Sequence, residues 1–420
     1  MMNLSIEPQM LPVEEAQQKI FSKFKQLDLE KKDLINSLGH FLGEDVIAPF
    51  DLPEKNNSAM DGFAAKYLDV ENCNQARVKL QVVGRVGAEN VSNTILKKGQ
   101  AIRIMTGGEI PTGADCVVPF EHTDSGPVRG SNYPSEVVVN KPVALGDNIR
   151  KSGLDYKIGE KVLEKGTYLN APSVGVAASL GIDRILVVRK PIISVLSTGN
   201  EIVLPGREKK DGQIYDSNLF SIASAIKEAG GIPNICEVIP DEEDALEKVL
   251  DSCSDSDLIV SIGGVSKGDF DLIKDVLVRK GDINFWGIRM RPGKPLAFGE
   301  LNLSGRKVYQ IGLPGNPVSA YVCFELFVRP LILKMRGYKT ILRETIRAKI
   351  DKTIQNDDQR KIFVRVKLIK HGSKYAAKVY EDQSSNILSS LVFANGLAIC
   401  PEDCKVISSG DLVDVMTLDH

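Results

Sequence analysis

The stretch Asp257–Asp271, DLIVSIGGVSKGDFD, carries residue types that suit metal-assisted phosphate chemistry. Asp257–Ile262 is a β-branched and leucine run of the kind that becomes a buried strand. It ends on two glycines, crosses a small polar loop and reaches Asp269 and Asp271 before LIKDVLVRKG, whose apolar spacing predicts a helix over Leu272–Val278. In an open α/β sheet, ligands sit beyond the carboxyl ends of such strands. Three further loops have the same position relative to a strand. STGNE (Ser197–Glu201) follows ISVL, Asp241 follows the strand-like run Ile235–Ile239, and GLPGNPVSA (Gly312–Ala320) follows VYQI. Glu201, Asp241 and Asp271 on one sheet edge would offer hard oxygen ligands to magnesium. In the last loop Asn316 is placed to cap a helix, Pro317 suits its first turn, and the amides that follow would be free for an anion. RMRPGKP (Arg289–Pro295) supplies the opposite charge: Arg291 and Lys294 lie in a Pro/Gly loop suited to a phosphate or another tetrahedral oxyanion.

Other chemistries are poorly provided for. Four histidines, His40, His122, His371 and His420, give little basis for a Ser-His-Asp triad or histidine-ligated metal. The seven cysteines are scattered, with no C-x-x-C pair and no zinc spacing, and read as reduced and structural. GGVSKG lacks the G-K-[ST] of a Walker loop, and no G-x-G-x-x-G opens a helix after a strand. Lys plus Arg number 53 against 55 Asp plus Glu, so bulk charge attracts neither nucleic acid nor an anionic membrane. The N-terminus lacks a basic segment followed by an apolar core, and the apolar run near Val322–Leu333 carries Glu325 and Arg329, which predicts a buried helix in a cytoplasmic protein.

The 420 residues, 43% hydrophobic and 26% charged, are enough for several globular domains. Val13–Phe24 has amphipathic helical spacing, and Glu30–Leu38 reads as a second short helix. Asp51–Ala64 reads as a polar loop without helical or strand period. From Gln75 to Lys141 the runs VKLQVVGRV, QAIRIMTGG, ADCVVPFE and SEVVVNKP predict a small β-rich domain, with Thr106 straight after a strand. Turn glycines across Gly146–Leu169 predict β hairpins, and Ala171–Gly181 a short helix. From Ile182 to about Gly337 strands and helices alternate, closing on a long helix over Val318–Met335, so a mostly parallel sheet covered on both faces is expected. KIFVRVKLIK, KYAAKVYE, NGLAICPE and DLVDVMTL then predict a terminal β-barrel or sandwich.

With these residues in view, the chain closely resembles the molybdopterin molybdenumtransferases, the bacterial MoeA type also found as the E domain of gephyrin. NSAMDGFA, RIMTGGEIPTGADCVV, STGNE, GGVSKGDFD, RPGKPLAFG and LPGNPVSA occur in the family's order nearly end to end. The resemblance implies an α/β-plus-β multidomain fold. Its parts would be an elongated domain of residues 7–50 and 146–181, a small β-rich domain of 51–145, an α/β molybdopterin-binding domain of 182–335 and a C-terminal β-barrel domain of 336–420. It implies a magnesium-dependent enzyme that takes adenylated molybdopterin and molybdate, releases AMP and leaves molybdenum on the dithiolene. It further implies a homodimer with its cleft where subunits meet, and transient contact with the adenylyltransferase that makes the substrate.

On that resemblance Asp61 and Thr106 form one wall of the cleft, and Glu201, Asp241 and Asp271 the other. Pro314 and Pro317 shape the loop beneath, Ser319 starts its helix, and Arg291 and Lys294 hold molybdate or phosphate. Arg365 and Ser389 match positions of a second oxyanion contact. Departures from the family pattern are Asn200 for an aspartate, Arg291 for a lysine, Leu154 within a G-E-D pattern and Asn386 for an arginine. Two other activities use related folds: the preceding adenylyltransferase step, which NSAMDG and RIMTGG argue against, and a non-catalytic scaffold, for which no long linker is present.

Overall fold

The computed structural model describes residues 10–87, 94–126, 133–236, 243–263, 276 and 279–418. The chain divides into two compact units.

The larger unit takes in residues 1–31, 39–41 and 186–420 and is built on a seven-stranded sheet. Its order is Met10–Leu11, Gly281–Ile288, Pro295–Leu303, Arg306–Leu313, Leu258–Ile262, Ile192–Ser197 and Ile232–Ile235. The last four run parallel, while Pro295–Leu303 pairs antiparallel with both its neighbours. The mostly parallel sheet expected from the alternation is therefore present, with an antiparallel meander on one side. Alternate side chains of Leu258–Ile262 enter different cores. Leu258, Val260 and Ile262 pack with Leu219, Ile226, Val318 and Phe327 on one face, and Ile259 with Leu246 and Leu250 on the other. Each such buried aliphatic or aromatic side chain contributes about 1.5–3 kcal/mol, which is why the strand reads as continuously apolar. The helix Ser217–Glu228 is fixed at its start by Asp216, whose carboxylate accepts from the Leu219 amide at 2.9 Å.

The helix expected over Val318–Met335 is broken in register. Pro317–Cys323 and Arg329–Arg336 are α-helical, but Phe324–Val328 between them is a π turn. Pro330 has no N–H to give the Leu326 carbonyl, and the Gln17 side chain bonds that carbonyl instead, at 2.9 Å.

The C-terminal part of this unit is a closed five-stranded barrel. Lys361–His371, Lys374–Val379, Thr345–Ile350, Leu412–Thr417 and Gly396–Cys400 follow in order, and the last pairs back onto the first. Ala348, Val364, Val366, Ala398 and Val415 fill it. Met290–Arg291 adds to the barrel beside Lys361–Ile362.

The smaller unit, residues 32–38 and 42–185, centres on a five-stranded sheet in the order Cys116–Pro119, Gly62–Ala65, Gln100–Ile104, Val78–Val86 and Glu136–Val139. The four predicted strands are there, and a fifth, Gly62–Ala65, occupies what read as polar loop. Its neighbours come so close that a Cβ on Gly62 would lie 2.1 Å from the Val118 carbonyl oxygen and 2.9 Å from the Pro119 Cα. Backbone on both sides leaves nothing to move aside, so Gly62→Ala should destabilise this unit by about 3 kcal/mol. Calorimetry of the variant would show an early-melting transition; an unchanged melting profile would contradict the packing.

Other expectations are corrected. Glu30–Leu38 is not a helix but a strand, Leu29–Asp33, followed by a 3-10 turn, Leu34–Ser37. The Gly146–Leu169 segment does not fold into hairpins. Ile149–Arg150 pairs with Asn57–Ser58 and Lys161–Leu163 with Val46–Ile47, so the turn glycines connect long-range ladders. The strand placed at Ile235–Ile239 is Ile232–Ile235, and residues 237–239 fall outside the described residues. The predicted helix Leu272–Val278 falls outside them except at Val276. No helix among the described residues is long and apolar enough to cross a membrane.

Candidate active site

The three central parallel strands end level with one another, because Ser197 stands in register with Ile262 and Ile262 with Leu313. The loops that follow are tied together by backbone: the Gly263 amide donates to the Leu313 carbonyl at 3.1 Å. Asn218, in the first turn of Ser217–Glu228, donates from Nδ2 to the Gly315 carbonyl at 2.6 Å and steadies the LPGNP loop from below. Glu201 lies on this edge. The Glu201 carboxylate folds back over Gly199, whose φ of 141° is the feature that calls for glycine there. Glu201 is exposed and has no ion pair among the described residues. Asp241 and Asp271 lie outside the described residues; the strands that precede them in sequence, Ile232–Ile235 and Leu258–Ile262, end on this same edge.

Beside this edge is a cleft of about 460 Å³, between the α/β sheet and the barrel. Arg291 and Lys294 line it with Pro314, Ser319, Gln383 and Ser385. The structure thus brings together four of the residues singled out from the sequence. The Arg291 charge is shared, with Nη1 3.6 Å from the Asp358 carboxylate and Nη2 donating to the Gln355 carbonyl at 3.4 Å. Lys294 is exposed and carries no ion pair among the described residues, so its ammonium is available to a ligand. A second opening of about 540 Å³ shares Arg291, Pro292 and Gln383 with the first and continues over Lys352 and Ser384.

The helix start beneath the cleft differs from expectation. Asn316 occupies the capping position but its side chain makes no capping hydrogen bond. Pro317 has no N–H, and the Val318 amide donates to the Ser385 carbonyl of the barrel at 3.0 Å. A main-chain carbonyl from a distant loop has taken the place that an anion would have had at Val318. Pro314 is buried, Pro317 half-buried, and Ser319 only 5% exposed.

Arg365 lies inside the barrel wall, 1% exposed. It donates to the side-chain oxygen of Gln383 at 3.3 Å and to the carbonyls of Ser384 at 3.0 Å and Asp382 at 3.3 Å. Burial pulls its pKa below that of a free guanidinium, opposed by Asp382 and Tyr380. Gln383 in turn donates to the carbonyls of Tyr380 at 2.9 Å and Arg365 at 3.2 Å. Arg365 therefore holds the loop that forms one lip of the cleft. Ser389, exposed at the start of the short helix Ser389–Phe393, does not line the cleft.

In the smaller unit Asp61 and Thr106 meet directly. Asp61 Oδ1 accepts from the Thr106 amide at 2.6 Å and from its hydroxyl at 2.7 Å. The Gly107 amide donates to the Ser58 carbonyl and the Ser58 amide donates to the Gly108 carbonyl, both at 2.9 Å. NSAMDG and RIMTGG are thus two sides of one clasp. Among the departures from the family pattern, Leu154 is 65% exposed, and Asn386 is exposed and directly follows Ser385 of the cleft.

Arg360, Gln383 and Ser385 line the cleft without having been singled out from the sequence. Gln383 and Ser385 sit in a polar run, EDQSSN, that carries no period; only contacts with residues far along the chain give them a place.

Three family models match in tandem: the MoeA N-terminal region (domain I and II) over residues 11–181, a probable molybdopterin-binding domain over 194–334, and the MoeA C-terminal region (domain IV) over 347–418. The molybdopterin molybdenumtransferase of Haemophilus influenzae is 33% identical, over 98% of this chain and 99% of its own length. The chain belongs to the molybdopterin molybdenumtransferase family. Family membership makes it a transferase of molybdenum cofactor biosynthesis. Molybdopterin molybdenumtransferase 2 of Mycobacterium tuberculosis is 34% identical over 92% of this chain and 94% of its own. Two crystal structures of the molybdopterin biosynthesis MoeA protein from Pyrococcus horikoshii superpose with TM-scores of 0.80 and 0.74, at 29% and 28% identity. They cover 98% and 97% of this chain and 100% of their own.

Proposed function

We propose that the cleft beside the LPGNP loop binds the anionic groups of adenylated molybdopterin and molybdate, and that this chain transfers molybdenum to the dithiolene with release of AMP. The observation that carries this reading is that an unneutralised ammonium, Lys294, lines the cleft while an exposed carboxylate, Glu201, stands at the carboxyl edge of the same sheet. One group suits an oxyanion and the other a hard cation, the two partners of a phosphoanhydride.

Lys294 holds the oxyanion by charge, while Arg291, anchored by Asp358 and Gln355, orients it. Ser319 and Pro314 close the floor and limit water at the reacting phosphorus. Magnesium is the metal of this reading, and Glu201 suits it: it offers carboxylate oxygens, the ligand type magnesium takes, with no ion pair among the described residues. It would be held by Glu201, Asp241 and Asp271, and when bound it would offset negative charge on the phosphates. Arg365 acts here through the 382–385 loop, and Ser389 remains a further candidate for oxyanion contact. The functional form is a cytoplasmic homodimer in which a second copy supplies the Asp61–Thr106 clasp to the substrate, met in passing by the adenylyltransferase.

The test is direct. Purified protein with adenylated molybdopterin, magnesium and molybdate should release one AMP for each molybdenum bound. Formation of the adenylate from ATP and free molybdopterin, without AMP release in the first assay, would refute the reading in favour of the preceding step.

A further inference from the structure

Two cysteines that do not line the cleft lie against each other on the face of the sheet that packs with Leu246 and Leu250. Cys236 follows directly on the edge strand Ile232–Ile235, and Cys253 directly on the helix Glu243–Ser252. Their sulfurs are 3.5 Å apart, within hydrogen-bonding contact, and either can carry the shared proton. Both backbones are pinned. The Cys236 amide donates to Val195 at 3.1 Å, the Cys253 amide to Leu250 at 2.9 Å, and the Ser256 amide to the Cys253 carbonyl at 3.0 Å. Cys236 is half-buried and open to small solutes, whereas Cys253 is 1% exposed.

We propose that Cys236 and Cys253 form an intramolecular disulfide on exposure to a peroxide, making this pair a reversible oxidation site. A disulfide sulfur–sulfur bond is about 2.05 Å long, so the sulfurs must approach by roughly 1.5 Å. One sulfur, as thiolate, attacks a peroxide oxygen; the O–O bond breaks, and hydroxide leaves and is protonated to water. The second sulfur attacks the resulting sulfenic sulfur, the S–O bond breaks, and a second water departs with the remaining thiol proton. Two thiols lose two electrons and two protons, and the peroxide gains both.

The other cysteines lack this arrangement. Burial pushes the Cys116 thiol up to about 12 and Cys400 up to about 11, which disfavours their thiolates. Cys400 and Cys404 are also neighbours, but their sulfurs turn to carbonyls, Cys400 to that of Cys404 at 3.6 Å and Cys404 to that of Val406 at 3.4 Å. In the Cys236–Cys253 pair, by contrast, the hydrogen bond that the two sulfurs share favours a thiolate on Cys253, the sulfur that accepts it. Closing the bond would staple the edge strand of the sheet to the helix that follows it, two elements joined by residues 17 apart in sequence.

The experiment uses the full-length reduced protein treated with hydrogen peroxide, blocked with iodoacetamide and mapped by mass spectrometry. The seven thiols should fall by two, with one linked peptide containing Cys236 and Cys253, and dithiothreitol should restore all seven. Cys236→Ser and Cys253→Ser should each form no disulfide and instead accumulate a sulfenic acid, trapped by dimedone, on the remaining partner. Seven surviving thiols, a link between other cysteines, or independent over-oxidation of both sulfurs without a link would overturn the proposal. Thiol mapping is independent of which reaction the cleft performs.

Discussion

Replacing Lys294 with alanine should lower kcat/KM for AMP release by about 100-fold or more, the scale on which removal of a single preorganised charge donor acts. Lys294 is the cleft cation with no ion pair among the described residues, whereas part of the Arg291 field is already neutralised by Asp358. Removing a shared charge costs less than removing an unshared one, so an Arg291→Ala variant should lose less activity than Lys294→Ala. The Lys294 side chain is exposed, and its loss should leave the thermal transition where it was. Lys294→Arg should recover part of the activity, since it restores charge but not the compact geometry of an ammonium. Steady-state AMP release with adenylated molybdopterin and molybdate reads all three variants. Wild-type kcat/KM in Lys294→Ala would remove this lysine from the site.

Arg365→Ala should act by another route. It removes a buried cation and leaves the Ser384 and Asp382 carbonyls and the Gln383 side chain short of a donor, at about 1–3 kcal/mol for each group left unsatisfied. A stability loss of roughly 3 kcal/mol is expected, since partial hydration and relaxation return some of the full sum. The loop of residues 382–385 then loosens, and with it the lip of the cleft, so KM should rise more than kcat falls. Denaturant titration and AMP release on the same preparation separate the two effects. Unchanged stability with lost turnover would mean that Arg365 touches the ligand itself. Arg365→Lys should remain destabilised, because one ammonium on a flexible stem cannot reproduce the planar fork that serves three acceptors.

The sequence made the α/β architecture legible wherever burial was continuous. The run Asp257–Ile262 matches the strand Leu258–Ile262 to within one residue because all the strand's side chains are covered. Leu29–Asp33 was misread for the opposite reason: LEKKD has an alternating, largely exposed pattern with helix-favouring residues, and no core pulls on it. Gly62–Ala65 was missed because glycine and alanine carry little strand preference, while all four residues are buried by partners more than thirty positions away. The same limit applies to the site. Loops at strand ends announced Glu201, Lys294 and Pro314 through local composition. The occupation of the Val318 amide by Ser385, and the grip of Arg365 on the 382–385 loop, depend on chain segments brought together only by folding.

The hydrogen bond from Val318 to Ser385 has a consequence for how this protein can be dissected. It links the helix that floors the cleft to the barrel, and Met290–Arg291 makes a second link by pairing with Lys361–Ile362. Truncation at the end of the α/β sheet would open two polar seams at once and strip one lip from the mouth. A chain ending there would keep the strand edge that carries Glu201 but not the closed cavity beside it.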